Sequence, residues 1–541
     1  MSKPSSSDRR SLGSTLATLG REQSAKAAYL GTGAVLTWAD YDAAAGALAV
    51  VFFHELGLQR GDRVAILLPD GPDVHIALMA CERAGVVAVG IGPRAGLQEV
   101  EHLLKLTGAI ALLSREQHQS QRMSGIVQNW QAGALPIRHH IEVTQGLRRG
   151  EAFTVNGLPS AQRIDAHTVP PERGFSPDEV SLLNSTSGTT GMPKCVTHDL
   201  ARWQAFHELA VRHGKLHRED VFMSLVPAPF GFGIWTSHVT PTLLGAPTVV
   251  MERFEARAAL ALIAEHSVTV LAAVSTQFIL MLEAMDQTDF DLSSLRVLFT
   301  GGEAVPYERA AAFEAKTGAA VLQFYGSNET GAVSGTRVED SREKRLKTAG
   351  RPIPEMQLRL FDDTGADVTD SGSGQPGCKG PTLSRGYFGD GADVEAGNAE
   401  LIRSDGWMLL GDRVTIDQDG YLSVIGRIDD FIIRGGKNIS GPGVEAQVCT
   451  HPAISLAAAV AMPDPIFGER VCVYVEIRSG HSAPTLEMLT RHLESRNVSK
   501  ESWPERIVVV DQLPRGSGGK VAKQALRDDI RARLAADAAR R

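Results

Sequence analysis

The feature that most limits the fold is a recurring exchange between short apolar runs and segments of helical period. Residues 63–68 (RVAILL) are apolar almost throughout, residues 74–85 carry a helical pattern, and residues 86–91 are a second apolar run. The alternation continues through 109–113, 248–251, 269–274, 297–300 and 321–325, with helical segments such as 256–266 and 307–316 between them. Runs apolar at every position, rather than at every second one, suit strands buried on both faces, as in parallel sheets covered by crossover helices. The expectation is an α/β chain of mostly parallel sheet in layers. After about residue 350 short strands and Gly-rich turns dominate, as in 357–361 and 421–425, which predicts a β-rich piece closing the large domain. A smaller α+β unit follows residue 426, with strands at 431–434, 455–462 and 471–477 and helices at 485–496 and 523–539. The polar, Pro-bearing stretch 150–178 reads as a connecting segment.

Composition narrows the class. The chain has 541 residues, 43% hydrophobic and 22% charged, the balance of a soluble globular protein with enough apolar material for more than one core. A net charge of −8 argues against a broad nucleic-acid-binding face. Cys81, Cys195, Cys378, Cys449 and Cys472 are odd in number, and none pair at CxxC spacing. That disfavours a disulfide framework or a structural zinc site and predicts reduced thiols in a cytoplasmic protein. Residues 1–12 are polar with no apolar run behind them, so no secretory signal is expected. The apolar stretches 48–53 and 85–91 are too short to span a bilayer.

The chemistry is concentrated first in Ser185-Thr186-Ser187-Gly188-Thr189-Thr190-Gly191-Met192-Pro193-Lys194, which follows the apolar residues 180–183. Small residues let a backbone fold tightly enough for several N–H groups to face one anion. Hydroxyls add donors, and Lys194 adds a point charge. A Walker A loop needs GxxxxGK followed by Ser or Thr. Here the glycines are Gly188 and Gly191 and Cys195 follows the lysine, so the spacing excludes it.

This string resembles the phosphate-binding signature of the adenylate-forming superfamily, which includes acyl- and aryl-CoA synthetases, peptide-synthetase adenylation domains and beetle luciferases. Further segments resemble that family in its own order, from about residue 36 to 526, with early support from Gly61-Asp62-Arg63-Val64-Ala65. Gln323-Phe324-Tyr325-Gly326-Ser327-Asn328-Glu329 resembles YGxTE, with Asn328 where the family usually has Thr. The resemblance implies that Tyr325 flanks adenine and Glu329 binds Mg²⁺, while Asn328 could donate to the α-phosphate. Thr300-Gly301-Gly302-Glu303-Ala304 resembles the second adenine-facing segment. Residues 406–412 resemble GWxxTGD, with Leu410 for Thr and Asp412 implied as the ribose ligand. Residues 426–440 resemble the hinge signature, which implies Arg427 on ribose or phosphate, Asp429 as pivot of a hinge at 427–430, and Gly435, Gly436 and Lys437 beside a pantetheine arm. Gly441 and Gly443 depart from the family pattern just after it. Residues 513–521 resemble the C-terminal catalytic-lysine motif, which assigns that role to Lys520.

The resemblance implies a large N-terminal domain at 1–426 and a small mobile C-terminal domain at 431–541. It implies an enzyme, a monomer or homodimer, that joins a carboxylic acid to AMP from ATP with Mg²⁺ and passes the acyl group to coenzyme A. A stand-alone enzyme loading a carrier-protein phosphopantetheine is the alternative; oxidative use of the adenylate and a catalytically silent nucleotide-binding regulator stay open. For the acid, Phe230 stands where the family usually has a pocket-side His. With Phe232, Trp235, Thr276, Phe278 and Gly301 it suggests an apolar pocket, unless these rings are plain core. No acidic residue stands out there to hold an amino group. The acid expected is medium-sized and apolar, cyclic or aromatic.

Overall fold

The computed structural model describes residues 11–31, 34–148, 152–161, 169–185, 192–302, 305–434, 437–496, 498–516 and 521–539. The α/β expectation holds. A nine-stranded sheet has Ala320–Ser327, Val297–Gly301, Val270–Ala272, Phe222–Ser224, Thr248–Val249 and Ala27–Gly31 as consecutive parallel neighbours. Antiparallel strands extend it on both sides. An eight-stranded sheet holds His139–Val143, Ala111–Arg115, Arg63–Leu67, Val87–Gly90 and Val180–Ser185 in parallel, again with antiparallel ends.

Both sheets bury both faces. Val64 and Ile66 join a core that also takes Val297 and Phe299 from the other sheet, so this core fills the space between the two. The alternate residues Ala65 and Leu67 lie in a second core, and Leu298 in a third, on the outer faces. That is the physical reason the runs lack a polar alternation. Helix Pro72–Ala84 between two of these strands ends at Gly85, whose φ of +65° closes it in the left-handed region.

The stretch taken as a connector, 150–178, departs from expectation. Ala152–Val155 and Leu158–Ala161 form a hairpin on the edge of the eight-stranded sheet. Its two-residue turn, Asn156-Gly157, has φ of +51° and +79°, the geometry for which Asn-Gly is selected.

The β-rich piece is a five-stranded sheet of Gln357–Phe361, Ser373–Lys379, Met408–Leu409, Asp412–Ile416 and Leu422–Arg427. The C-terminal unit pairs the long strands Ile454–Asp464 and Gly468–Ile477, with Phe431–Arg434, Lys437–Ser440 and Arg506–Val509 beside them. Its last helix, Lys523–Ala539, is tied to the start of the unit. Lys523 Nζ lies 2.8 Å from Glu445 and 3.3 Å from Asp430, and Arg527 pairs with the other oxygen of Asp430. These four side chains are less than one-fifth exposed. Among the described residues no helix is long and apolar enough to cross a membrane.

Candidate active site

Several expected site residues gather at the carboxyl ends of the parallel strands, where an open α/β sheet places its ligands. Ser185 ends one strand and pairs with Cys195, which begins the next, antiparallel strand. Thr186, Ser187, Gly188, Thr189, Thr190 and Gly191 lie outside the described residues, as do Glu303, Ala304, Gly435, Gly436 and Lys520. The described root of the loop is buried: Asn184 is 0% and Ser185 3% exposed. Among the described residues Asn184 Nδ2 and Ser185 Oγ have no hydrogen-bond partner. Buried polar atoms are normally satisfied, so two orphans at the root of this loop suit an incoming polar group.

At the far end of the loop Lys194 places Nζ 4.7 Å from the centre of the Tyr387 ring. The Tyr387 hydroxyl donates to Glu329 Oε1 at 2.9 Å. One aromatic side chain thus holds the two charges of opposite sign that the sequence singled out. Burial and the Glu329 charge raise the Tyr387 pKa, so at neutral pH the phenol keeps its proton and acts as a donor. Among the described residues no three His, Cys, Asp or Glu side chains cluster as a ready-made metal site.

Strand Ala320–Ser327 sorts its residues by face. Phe324 packs against Trp235 and Phe299, at 5.1 and 5.5 Å between ring centres, and belongs to the core. Tyr325 instead donates its hydroxyl to Asp412 Oδ2 at 2.9 Å. Burial and Asp412 push its pKa well up. Asp412 pairs across strands with Arg427, whose Nε is 3.7 Å from Oδ1. Tyr325, Asp412 and Arg427 are therefore one cluster. Gln323 turns its amide to the carbonyls of Arg345 and Leu346, at 2.8 and 3.2 Å. Backbones approach closely here: a Cβ on Gly326 would stand 1.7 Å from Gly331 O, and one on Gly301 2.3 Å from Phe324 O. Gly302 has φ +79°. Asn328 donates from Nδ2 to Asn184 Oδ1 at 2.7 Å, which joins this turn to the root of the loop. Asp429 lies in the short 3-10 turn Ile428–Asp430, and Lys437 begins the strand Lys437–Ser440.

The acid-pocket residues divide. Phe230 and Phe232 are half-buried and flank Gly231. A Cβ on Gly92 would meet the Phe230 ring at 2.7 Å, so a glycine makes room for it. Trp235 is 3% exposed, enclosed by Phe206, Phe232, Phe299 and Phe324. Phe278 is 0% exposed and packs on Phe313 in the core beyond the nine-stranded sheet. Trp235 belongs to the core between the sheets. The two rings lie on opposite faces of one sheet and do not line a common cavity. Thr276 accepts from Arg515 Nη1 at 3.1 Å, a contact that brings the segment before Lys520 to this region.

Sequence reading missed Asn184, Tyr387 and a buried arginine, Arg202, that binds the Asn328–Glu329 backbone. Tyr387 sits in a β-rich stretch with no recognisable pattern. Arg202, in a polar helix, looks like an ordinary solvated charge.

Comparison with known proteins agrees with the geometry. Residues 17–388 match the family model for AMP-binding enzymes, and residues 443–520 match the model for the C-terminal domain of those enzymes. The chain is 30% identical over 514 residues to a medium-chain fatty-acid–CoA ligase of Escherichia coli, covering 93% of this chain and 88% of that one. It is 31% identical over 506 residues to a salicyl-AMP ligase/salicyl-S-ArCP synthetase of Mycobacterium tuberculosis, covering 91% and 85%. The fold superposes on a crystal structure of an anthranilate CoA ligase with anthranoyl-AMP. The TM-score is 0.86 at 22% identity, over 98% of this chain and 99% of the other.

Proposed function

The chain belongs to the adenylate-forming AMP-binding enzyme family, and from that premise we propose that it activates an apolar carboxylic acid, cyclic or aromatic, and passes it to coenzyme A. The observation that carries the reading is the Lys194–Tyr387–Glu329 arrangement beside the buried, unsatisfied root of the loop. A cation of the loop and a carboxylate of the neighbouring turn are held at fixed spacing, as polyphosphate with a divalent cation requires.

A carboxylate is a poor electrophile, and linkage to AMP gives it a good leaving group. The acid oxygen attacks the α-phosphorus of ATP, the bond to the β-phosphate oxygen breaks, and pyrophosphate leaves. Residues 185–194 and Lys194 hold the phosphates that depart. Tyr325, Asp412 and Arg427 hold the nucleoside, with the Asp412 carboxylate accepting from ribose hydroxyls. Lys520 offsets charge that develops between the carboxylate and the α-phosphate. Glu329 would hold magnesium, which when bound would supply charge neutralisation at the phosphates. Catalysis on this reading is positioning and electrostatics.

The acid lies against Phe230, Phe232, Thr276 and Gly301, with Trp235 as the wall behind Phe232. A swing of residues 431–541 about a hinge at 427–430, with Asp429 as pivot, then exchanges Lys520 for the Gly435–Lys437 face. A thiolate attacks the acyl carbon and AMP leaves. A carrier-protein phosphopantetheine is the second reading, supported by the name of the Mycobacterium tuberculosis relative. Mass spectrometry of products from a mixed pool of acids with ATP, run with coenzyme A or with a phosphopantetheinylated carrier, separates the two. Turnover of short polar acids or α-amino acids alone would overturn the substrate assignment. Equal ATP–pyrophosphate exchange in wild type and Lys520→Ala would overturn the role of Lys520.

A further inference from the structure

Arg202 is 2% exposed, yet it sits on helix Leu200–Gly214 and has no place in the chemistry above. Each of its three nitrogens faces an acceptor. Nε donates to Thr382 O at 2.5 Å, and Nη2 to Asn328 O at 2.6 Å and Glu329 O at 3.2 Å. Nη1 faces His198 Nδ1. The other imidazole nitrogen, Nε2, is 2.7 Å from Asn184 Oδ1, and the same oxygen accepts from Asn328 Nδ2 at 2.7 Å. The chain of contacts returns to the turn from which it started.

The polarity of this ring follows from one fact: a guanidinium has donors and no acceptor. His198 Nδ1 must therefore offer a lone pair, so the imidazole is neutral with its proton on Nε2. Nε2–H then requires an oxygen opposite, which fixes the Asn184 amide. That oxygen requires a donor from the next amide, which fixes Asn328. The surroundings agree: burial, then the Arg202 charge, hold His198 in its neutral form. His198 also stacks on Trp203, at 4.8 Å and 18°, which limits rotation of its ring.

We propose that Arg202 is a positioning residue for adenylation: through the His198 tautomer it sets the Asn184 and Asn328 amides, and through two carbonyls it fixes the Glu329 turn against the root of the phosphate loop. The proposal rests on the function proposed above, because Glu329 and the loop derive their roles from it. It also accounts for Asn328 in place of the family's usual Thr. A threonine could donate only from a hydroxyl one bond nearer the backbone, whereas the Asn328 amide reaches Asn184 Oδ1 at 2.7 Å. Gly231 fits the same arrangement, since a Cβ on it would stand 2.6 Å from Asn328 Oδ1.

The test uses the full-length protein. Arg202→Lys keeps the charge but loses the planar fork. Acid-dependent ATP–pyrophosphate exchange should fall about 10- to 100-fold, the usual cost of removing a group that orients a ligand to a metal. The fall should be in kcat, with more magnesium needed for half-maximal rate. Nitrogen-15 spectra of histidine-labelled protein, with His198 identified from His198→Gln, should show one Nε2–H tautomer in the wild type. The His198 Nε2 signal should shift in Arg202→Lys, because one ammonium cannot face the imidazole and all three carbonyls together. Asn328→Ala, at a half-exposed turn, is the second variant in case the first does not fold. It should move the His198 Nε2 signal with no nucleotide present. The proposal is overturned if a folded Arg202→Lys keeps wild-type exchange and magnesium dependence, or if neither variant moves the His198 signal. A wild type without any exchange would instead refute the proposed function, and the His198 signals would still judge the ring.

Discussion

Tyr387 offers the sharpest test, because two substitutions separate its two contacts. Tyr387→Phe removes the hydroxyl that donates to Glu329 at 2.9 Å and leaves the ring under Lys194. A hydrogen bond to a charged acceptor contributes about 1.5–3 kcal/mol net. Both residues are half-buried, which puts the value near about 1.5 kcal/mol. If Glu329 works only in the orientation this bond gives it, kcat/KM for ATP falls about tenfold. Tyr387→Leu also removes the ring. A lysine over an aromatic face contributes about 0.5–1 kcal/mol at a partly exposed site, a further two- to fivefold. The assay is acid-dependent ATP–pyrophosphate exchange at saturating acid, titrated in ATP and in magnesium, with the melting curve of each variant. Phe should behave as the intermediate step, with its loss in the magnesium response. A Tyr387→Phe enzyme within twofold of wild type in both titrations would refute the reasoning, since Glu329 would then need no orienting donor.

Asp412→Asn keeps an oxygen for the Tyr325 hydroxyl but removes the charge that faces Arg427 and that, in the proposed function, accepts from ribose hydroxyls. KM for ATP should rise about tenfold with kcat less affected, read from initial rates. Gly85→Ala should destabilise by more than about 2 kcal/mol, because φ is +65° and the new Cβ meets Arg173 O at 2.1 Å. Gly57→Ala, at φ +62° with nothing within 4 Å, should cost only about 1 kcal/mol. Urea unfolding compares the two. Burial raises Asp70 to about 7, partly offset by the Ala228 N–H that donates to it. Its folded form thus holds a proton more tightly than the unfolded chain, with an ordinary value of about 3.9. The stability this contributes is present below about pH 4 and is lost as pH rises through about 7. Asp70→Asn should remove that slope, so the gap between variant and wild type opens by up to about 1.4 kcal/mol per pH unit across this range. Urea midpoints from pH 5 to 8 that run parallel would contradict it.

The parallel sheets were legible because burial on both faces leaves a direct trace, an unbroken apolar run. The hairpin at 152–161 was legible too, through Asn156-Gly157, but polar flanks hid it inside a segment read as a connector. Motif strings marked Tyr325, Glu329 and Asp412, because chemistry at strand ends restricts residue type. They could not mark Tyr387 or Arg202, each of which acts through a partner more than fifty residues away. A sequence shows a side chain's chemistry and not its neighbour. The aromatic pocket shows the same limit from the other side. Phe278 and Trp235 are both apolar aromatics, yet their helices lie on opposite faces of one sheet, so the rings go to different cores.

The cluster of Asp430, Glu445, Lys523 and Arg527 bears on how the chain can bend. It fastens the first residues of the C-terminal unit to its last helix, so anything that turns the unit carries Asp430 with it. The unit behaves as a lever welded at its near end. In the proposed swing, torsion would then be taken up before the weld, in the few dihedral angles of Arg427, Ile428 and Asp429. The angle of the proposed sweep would therefore be set by a handful of backbone bonds and not by the softness of the sheet.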